Sequence, residues 1–260
     1  MVTEPKTRDW WPSLEDMCLD RTAVVVLNTN IENPPQLVRR LWNDALLRLT
    51  VDGGTNKWYN FIKQNAYDKL KFPDLITGDL DSADRSIIDE FVLLGSQIVY
   101  TPNQDETDFA KALREIQKYS TKMNKSINSV IVMANMCNRV DHFLSNINTL
   151  YKSKDYYFDG DIYLLGRNSL TWLLQSGSNR IHIPQVLRIN PEKNYIGFFP
   201  LGSPCYKCTT TGLKWNIFEK TMEMGGLTSS SNTYNGQPFV TIDNSSPLLW
   251  TMTMGYEDGF

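Results

Sequence analysis

Thr77-Gly78-Asp79-Leu80-Asp81-Ser82 is the stretch that decides how this chain is read. It follows a short apolar run, residues 73–76 (PDLI), and precedes a segment in which Ile87, Ile88, Phe91, Val92 and Leu94 recur at helical spacing. Two carboxylates therefore stand where a strand ends and a helix begins. If residues 79–81 are extended, Asp79 and Asp81 project from one face, because side chains alternate with period two. Gly78 permits a turn or a close approach that a Cβ would obstruct. Paired carboxylates suit a hard cation such as Mg²⁺, which takes oxygen ligands from protein and from substrate phosphates. Asp and Ser beside a helix start also serve as caps, so the stretch gains its meaning from its surroundings.

Outward from this stretch, strand-like runs alternate with amphipathic helical segments. Residues 23–27 (AVVVL) and 129–133 (SVIVM) are buried-strand runs, and 48–51, 73–76 and 97–100 are shorter ones. Between them, helical stripes include Leu37, Val38, Leu41 and Trp42, then Trp58 and Phe61, then Phe109, Ala112, Leu113 and Ile116. This alternation predicts a parallel sheet built from right-handed βαβ units. After about residue 155 the pattern becomes short strands at roughly ten-residue spacing, the mark of a β-sandwich or barrel. The expected organisation is an N-terminal tail at 1–20, an α/β domain at 21–155 and an all-β sandwich at 156–260. Trp10 and Trp11 are the expected docking points of the tail.

Composition excludes several classes. The 260 residues carry a net charge of −3, so no basic surplus points to nucleic acid. No apolar run approaches membrane-spanning length, and no signal-peptide core is visible, so a cytosolic location is expected. Four cysteines are too few for a disulfide framework, and Cys205-Tyr-Lys-Cys208 lacks the second ligand pair of a zinc site. Only His142 and His182 could act as a triad base. Neither a P-loop nor the protein-kinase motif set occurs.

Four polar clusters fall at strand ends: Asp52-Gly53-Gly54-Thr55-Asn56, Asp79-Leu80-Asp81, Gln104-Asp105-Glu106-Thr107-Asp108 and Asn138-Arg139-Val140-Asp141-His142. In an open parallel sheet such ends form the ligand crevice. Gly53-Gly54 before a helix can present backbone N–H groups to phosphate. Asp105 and Asp108 share a helix face, and four carboxylates with Asp79 and Asp81 would repel one another without a cation. Arg139 is the natural phosphate partner, oriented by Asp141, which could also join the metal site. In the β region, Thr209–Asn216 and Ser229–Thr233 are dense in hydroxyls and amides around Trp215, on which a flat cationic heterocycle could stack.

These six motifs, in order over about residues 20–254, resemble the thiamin pyrophosphokinase family in its eukaryotic form. The resemblance implies a homodimeric enzyme that transfers the pyrophosphoryl group of ATP to the hydroxyethyl oxygen of thiamin, giving thiamin diphosphate and AMP. Its active site would lie between subunits. On that model Asp79, Asp81 and Asp108 are Mg²⁺ ligands or residues of the metal's shell, while Gln104 and Asp105 position ATP or the attacking hydroxyl. Asp52, Gly53, Gly54 and Asn56 lie along the nucleotide, Arg139 holds phosphate with Asp141 beside it, and Trp215, Ser229, Ser231 and Asn232 shape the thiamin pocket. The family's glycine-rich lead before Arg-x-Asp reads here Ala134-Asn135-Met136-Cys137-Asn138, with Asn135 and Asn138 as residues able to keep the turn. Two other readings stand beside this one. One is a Mg²⁺/ATP-dependent pyrophosphokinase or nucleotidyltransferase with another acceptor. The other is a thiamin-binding module without catalysis, against which the complete aspartate set speaks.

Overall fold

Strand β1 (Arg8–Trp10) opens the chain, and two compact units follow from the packing: residues 18–167, and residues 168–260 together with 1–17. The computed structural model describes residues 7–65, 70–134 and 139–255.

In the unit of residues 18–167 the order is β2 (Thr22–Val26), α1 (Pro35–Asp44), β3 (Leu47–Val51), α2 (Gly54–Gln64), β4 (Leu75–Gly78), α3 (Arg85–Leu94), β5 (Gln97–Tyr100), α4 (Asp108–Met123), β6 (Ser129–Met133), α5 (Val140–Tyr156) and β7 (Asp161–Leu165). Every strand pair is parallel, in the order β7-β6-β2-β3-β4-β5. Every residue of β2 and β3 is buried, as expected where helices cover both faces. Under the sheet, Trp42 of α1 stacks on Trp58 of α2 at 3.9 Å, both fully buried. Removing either ring would open a cavity costing about 3–5 kcal/mol. At the other rim, β5 is the edge strand and is largely exposed. The chain leaves β2 toward β3 on one side and returns to β6 on the other. The switch point, with its crevice at the carboxyl ends, therefore lies beside β2.

The second unit continues with β8 (Ser169–Leu174), β9 (Gly177–His182), α6 (Gln185–Ile189), β10 (Ile196–Phe199), β11 (Cys205–Thr211), β12 (Lys220–Met222), β13 (Ser229–Asn232), β14 (Phe239–Asn244) and β15 (Leu248–Thr253). One sheet runs β1-β9-β14-β11-β12 and the other set runs β13-β10-β15-β8. Trp10 of the first layer meets Trp172 of the second at 5.8 Å, and Trp172 meets Trp250 at 5.9 Å. These rings form the middle of a sandwich.

Several boundaries differ from the spacing-based expectation. The α/β unit extends to Arg167, because β7 pairs with β6 in the parallel sheet and is not the first sandwich strand. An isolated run such as Ile162–Leu165 carries no sign of which sheet it joins. The tail is no appendage: β1 pairs with β9, and Trp10 is buried with its Nε1 donating to Asn179 at 2.9 Å. Trp11 stays exposed and stacks on His182 at 3.5 Å. The second unit is the expected β-sandwich, with one short helix, α6, and a 3₁₀ turn at Pro191–Lys193 between its strands. Residues 226–228 are loop and β13 begins at Ser229, while β12 has no apolar run to mark it.

The thiols of Cys205 and Cys208 are both buried, although three residues apart on one strand. A register shift between them in the β11–β12 pairing turns both to the interior. Burial pushes the Cys208 thiol up to about 12, so at pH 8 only about one molecule in ten thousand carries the thiolate. Cys18 is exposed. Alkylation of the folded chain at pH 8, mapped by peptide mass spectrometry, should label Cys18 at least about tenfold faster than Cys205 or Cys208. Comparable rates at Cys18 and Cys208 would contradict the buried pair.

Candidate active site

Asp52, Asp79 and Asp81 meet at the carboxyl end of the parallel sheet, with one oxygen from each within 4.8 Å of the others. The backbone that brings them there is left-handed, so the extended geometry expected for residues 79–81 does not hold: Leu80 has φ 64°. Asp52 has φ 48°, and its N–H donates to the Thr77 carbonyl at 2.8 Å. Gly78, at φ 132°, makes room for this pair, since a Cβ there would lie 3.0 Å from the Asp52 Cβ. The Asp52 carboxylate in turn accepts from the Ser82 N–H at 3.1 Å, fixing the loop that carries Asp79 and Asp81. That loop is not the helix cap. Asp84 caps α3, accepting from the Ser86 N–H at 2.8 Å.

The three carboxylates open into a cleft of about 440 Å³ lined also by Leu27, Asn28, Thr29, Gln104 and Asp108. Gln104 donates its amide to Asp79 at 2.5 Å and, as the largest influence, holds that carboxyl below its ordinary value. Among the described residues no lysine or arginine pairs with Asp52, Asp79 or Asp81. An all-oxygen donor set without a neutralising side chain fits a hard divalent cation.

Asp108 lies on the same cleft outside the three-carboxylate cluster, in an ion pair with Lys111 at 2.7 Å that is not a hydrogen bond. The third carboxylate of the cluster is thus Asp52, which the strand-end position suggested only as a nucleotide contact. Val51 pairs in register with Thr77, and this brings Asp52 beside Asp79. Asp105 is exposed and does not line the cleft. Thr107 rather than Asp105 caps α4, accepting from the Ala110 N–H at 3.1 Å.

Gly53, Gly54 and Asn56 also stand outside the cleft lining. A Cβ at Gly54 would fall 2.3 Å from the Val26 carbonyl, so this glycine lets α2 pack on the end of β2. Asn56 braces the aspartate loop, donating to the Ser82 carbonyl at 3.0 Å and accepting from the Asp84 N–H at 2.8 Å. Opposite, Arg139 and His142 line the cleft with Ser145 and Asn146, two residues that no motif had marked. Arg139 pairs with Asp141 through two hydrogen bonds and draws that carboxyl down to about 2. Both side chains are exposed, so a phosphate can displace Asp141 at little cost. The loop at 135–138, with Asn135 and Asn138, lies outside the described residues.

In the sandwich unit a second cavity, about 430 Å³, is lined by Trp215, Phe218, Leu227, Ser229, Ser230 and Asn232 among others. Trp215 is 56% exposed, with the Lys214 ammonium 4.7 Å from its ring centre. Asn232 is a clamp: it accepts from the N–H groups of Trp215 and Thr233 and donates to the Trp215 carbonyl at 2.8 Å. Ser231 is exposed, at φ 53°, and does not line the cavity. Phe218 and Leu227 add an apolar wall that no hydroxyl-rich motif could announce.

Comparisons with known proteins identify the family of the chain. Residues 38–163 match the model of the thiamin pyrophosphokinase catalytic domain, and residues 178–249 match its vitamin B1 binding domain. Thiamine pyrophosphokinase 2 of Arabidopsis thaliana is 33% identical over 92% of this chain and 89% of its own length. Thiamine pyrophosphokinase 1 of the same plant is 34% identical over 90% of this chain and 86% of its own. In structure, a thiamin pyrophosphokinase from Candida albicans superposes with a TM-score of 0.83 at 23% identity, covering 97% of this chain and 95% of that one. The chain belongs to the thiamin pyrophosphokinase family.

Proposed function

We propose that Asp52, Asp79 and Asp81 are the acidic centre of an ATP:thiamin pyrophosphotransferase, with Mg²⁺ as the cation they would hold. The observation that carries this assignment is the convergence of three carboxylate oxygens within 4.8 Å at the carboxyl ends of β3 and β4, unpaired by any described cation. When bound, Mg²⁺ neutralises the polyphosphate and stabilises the charge on the departing AMP oxygen. The remaining work is positioning, which this transfer needs more than covalent help.

Each residue has a task in that reading. Asn28 and Thr29 border the nucleotide cleft beside β2. Gln104 orients Asp79 through its amide hydrogen bond. Arg139 exchanges Asp141 for a phosphate oxygen, bidentate geometry serving both partners. Asp108 borders the cleft and supports it through Lys111 rather than as a direct ligand. The thiamin hydroxyl oxygen attacks the β-phosphorus of ATP. Its new O–P bond forms as the α–β bridge breaks toward AMP, and the hydroxyl proton leaves to a carboxylate or water.

Thiamin is assigned to the sandwich cavity. Its cationic thiazolium and flat pyrimidine match the exposed faces of Trp215 and Phe218, while Ser229 and Ser230 offer hydroxyls. We further propose that the enzyme is a homodimer whose sites take catalytic residues from one copy and the thiamin pocket from the other, as the family resemblance implies. A cytosolic location fits the free thiols Cys18, Cys205 and Cys208, and no helix among the described residues is long and apolar enough to cross a membrane.

Incubation with ATP, Mg²⁺ and thiamin should yield thiamin diphosphate and AMP in equal amounts. Release of pyrophosphate instead would identify a nucleotidyltransferase. Asp79→Asn should lower kcat at least about 100-fold, with KM for thiamin changed less than about threefold. Unchanged kcat at saturating Mg²⁺ would remove Asp79 from the cation site.

The shared site has its own test. Trp215→Ala should by itself cut kcat/KM for thiamin. Co-expressed with Asp79→Asn, it should restore about a quarter of the wild-type sites in a randomly assorted twofold dimer. A mixture no more active than its two components would place each site within one chain.

A further inference from the structure

Lys111 is a buried charge whose only part so far is its ion pair with Asp108. It lies on α4, 5% exposed, and its ammonium meets three oxygens: Asp108 Oδ1 at 2.7 Å, the Thr101 carbonyl at 2.8 Å and the Asn103 carbonyl at 3.0 Å. Two backbone carbonyls accept hydrogen bonds from it and Asp108 is its ion-pair partner, so the ammonium is held from three sides. The two carbonyls belong to the turn that follows β5, and Gln104 is its next residue. The same turn is tied on its other side to β4, where the Thr101 N–H donates to the Gly78 carbonyl at 2.8 Å.

We propose that Lys111 is a positioning residue for pyrophosphoryl transfer, a buried brace that fixes the 101–103 turn on α4 so that Gln104 meets Asp79. The route is short: Lys111 to the Asn103 carbonyl, along one peptide to Gln104, and from the Gln104 amide to Asp79 at 2.5 Å. Asp108 is the anchor of the brace on α4, one turn before Lys111. Buried ions are poor sources of stability, since well-packed apolar residues of similar volume often serve as well or better. A charge here, with its acceptors on the turn that presents Gln104, is accounted for by geometry at the site.

The inference rests on the assignment of Asp79 to the cation site, and its test separates the two. Lys111→Met, Gln104→Ala and the double variant are compared with the wild type in kcat, KM for thiamin, Tm and amide hydrogen exchange. Loss of the brace should cut kcat by about 10- to 100-fold with thiamin KM within about twofold, since misplacement of about 1 Å can cost that much. Exchange should rise in peptides covering 101–108 while β2 and β6 remain protected. Once Gln104 is gone, adding Lys111→Met should cost no more than about another twofold. Full multiplication of the two single losses would overturn the proposal, as would an exchange increase spread over the whole unit in step with Tm. If Lys111→Met does not fold, Lys111→Arg carries the same cycle, because a guanidinium keeps the charge but cannot match the three-oxygen geometry. The exchange result does not depend on turnover, so it stands even if Asp79→Asn shows the cation to lie elsewhere.

Discussion

Three carboxylates crowded at one sheet end are the constraint on which the rest of this molecule depends. Like charges within 4.8 Å repel, and each is there because backbone geometry compels it. Asp52 and Leu80 both adopt left-handed φ values, a conformation that side chains other than glycine, asparagine and aspartate seldom take. Such strain persists only where its surroundings enforce it, and it concentrates at functional sites. Here the enforcement is visible: Gly78 leaves space for Asp52, Asp52 accepts from Ser82, and Asn56 holds the loop from below. In the proposed function, a divalent cation held by these carboxylates would relieve that repulsion.

How much of this was legible beforehand follows from what each signal depends on. The alternation of apolar strands with amphipathic helices is local, and it gave the parallel sheet correctly through β6. Strand-end position is also local, so the cleft residues Asp79, Asp81, Gln104 and Arg139 could be named from spacing and from resemblance. Register is not local. Only the pairing of Val51 with Thr77 brings Asp52 beside Asp79, and no pattern in either segment encodes it. Asp108 shows the converse: a carboxylate of the right type at the right helix start, already engaged by a lysine three residues on. That lysine stood in the sequence, but its burial, and hence its strength as a partner, did not.

The glycines and amides carry a related lesson. Gly53-Gly54 before a helix has the look of a phosphate cradle, yet the close contact of Gly54 is with the end of β2. Asn56 and Asn232 look like ligand contacts, yet both spend their hydrogen bonds holding loops that carry other site residues. A motif thus marks a region reliably and assigns roles within it poorly, because framework and contact residues share the same polar chemistry. The β1 strand makes the point at the scale of the fold. Its docking by Trp10 was readable from two adjacent tryptophans, whereas its partner, β9, lies 169 residues away.

Anomalous diffraction from crystals grown with Mn²⁺ and a non-hydrolysable ATP analogue would test the central claim most directly. The account predicts a manganese peak bonded to carboxylate oxygens from the Asp52, Asp79 and Asp81 cluster, with Asp108 still paired to Lys111. A peak held by Asp108 in place of that cluster, or nucleotide bound with no metal there, would contradict it.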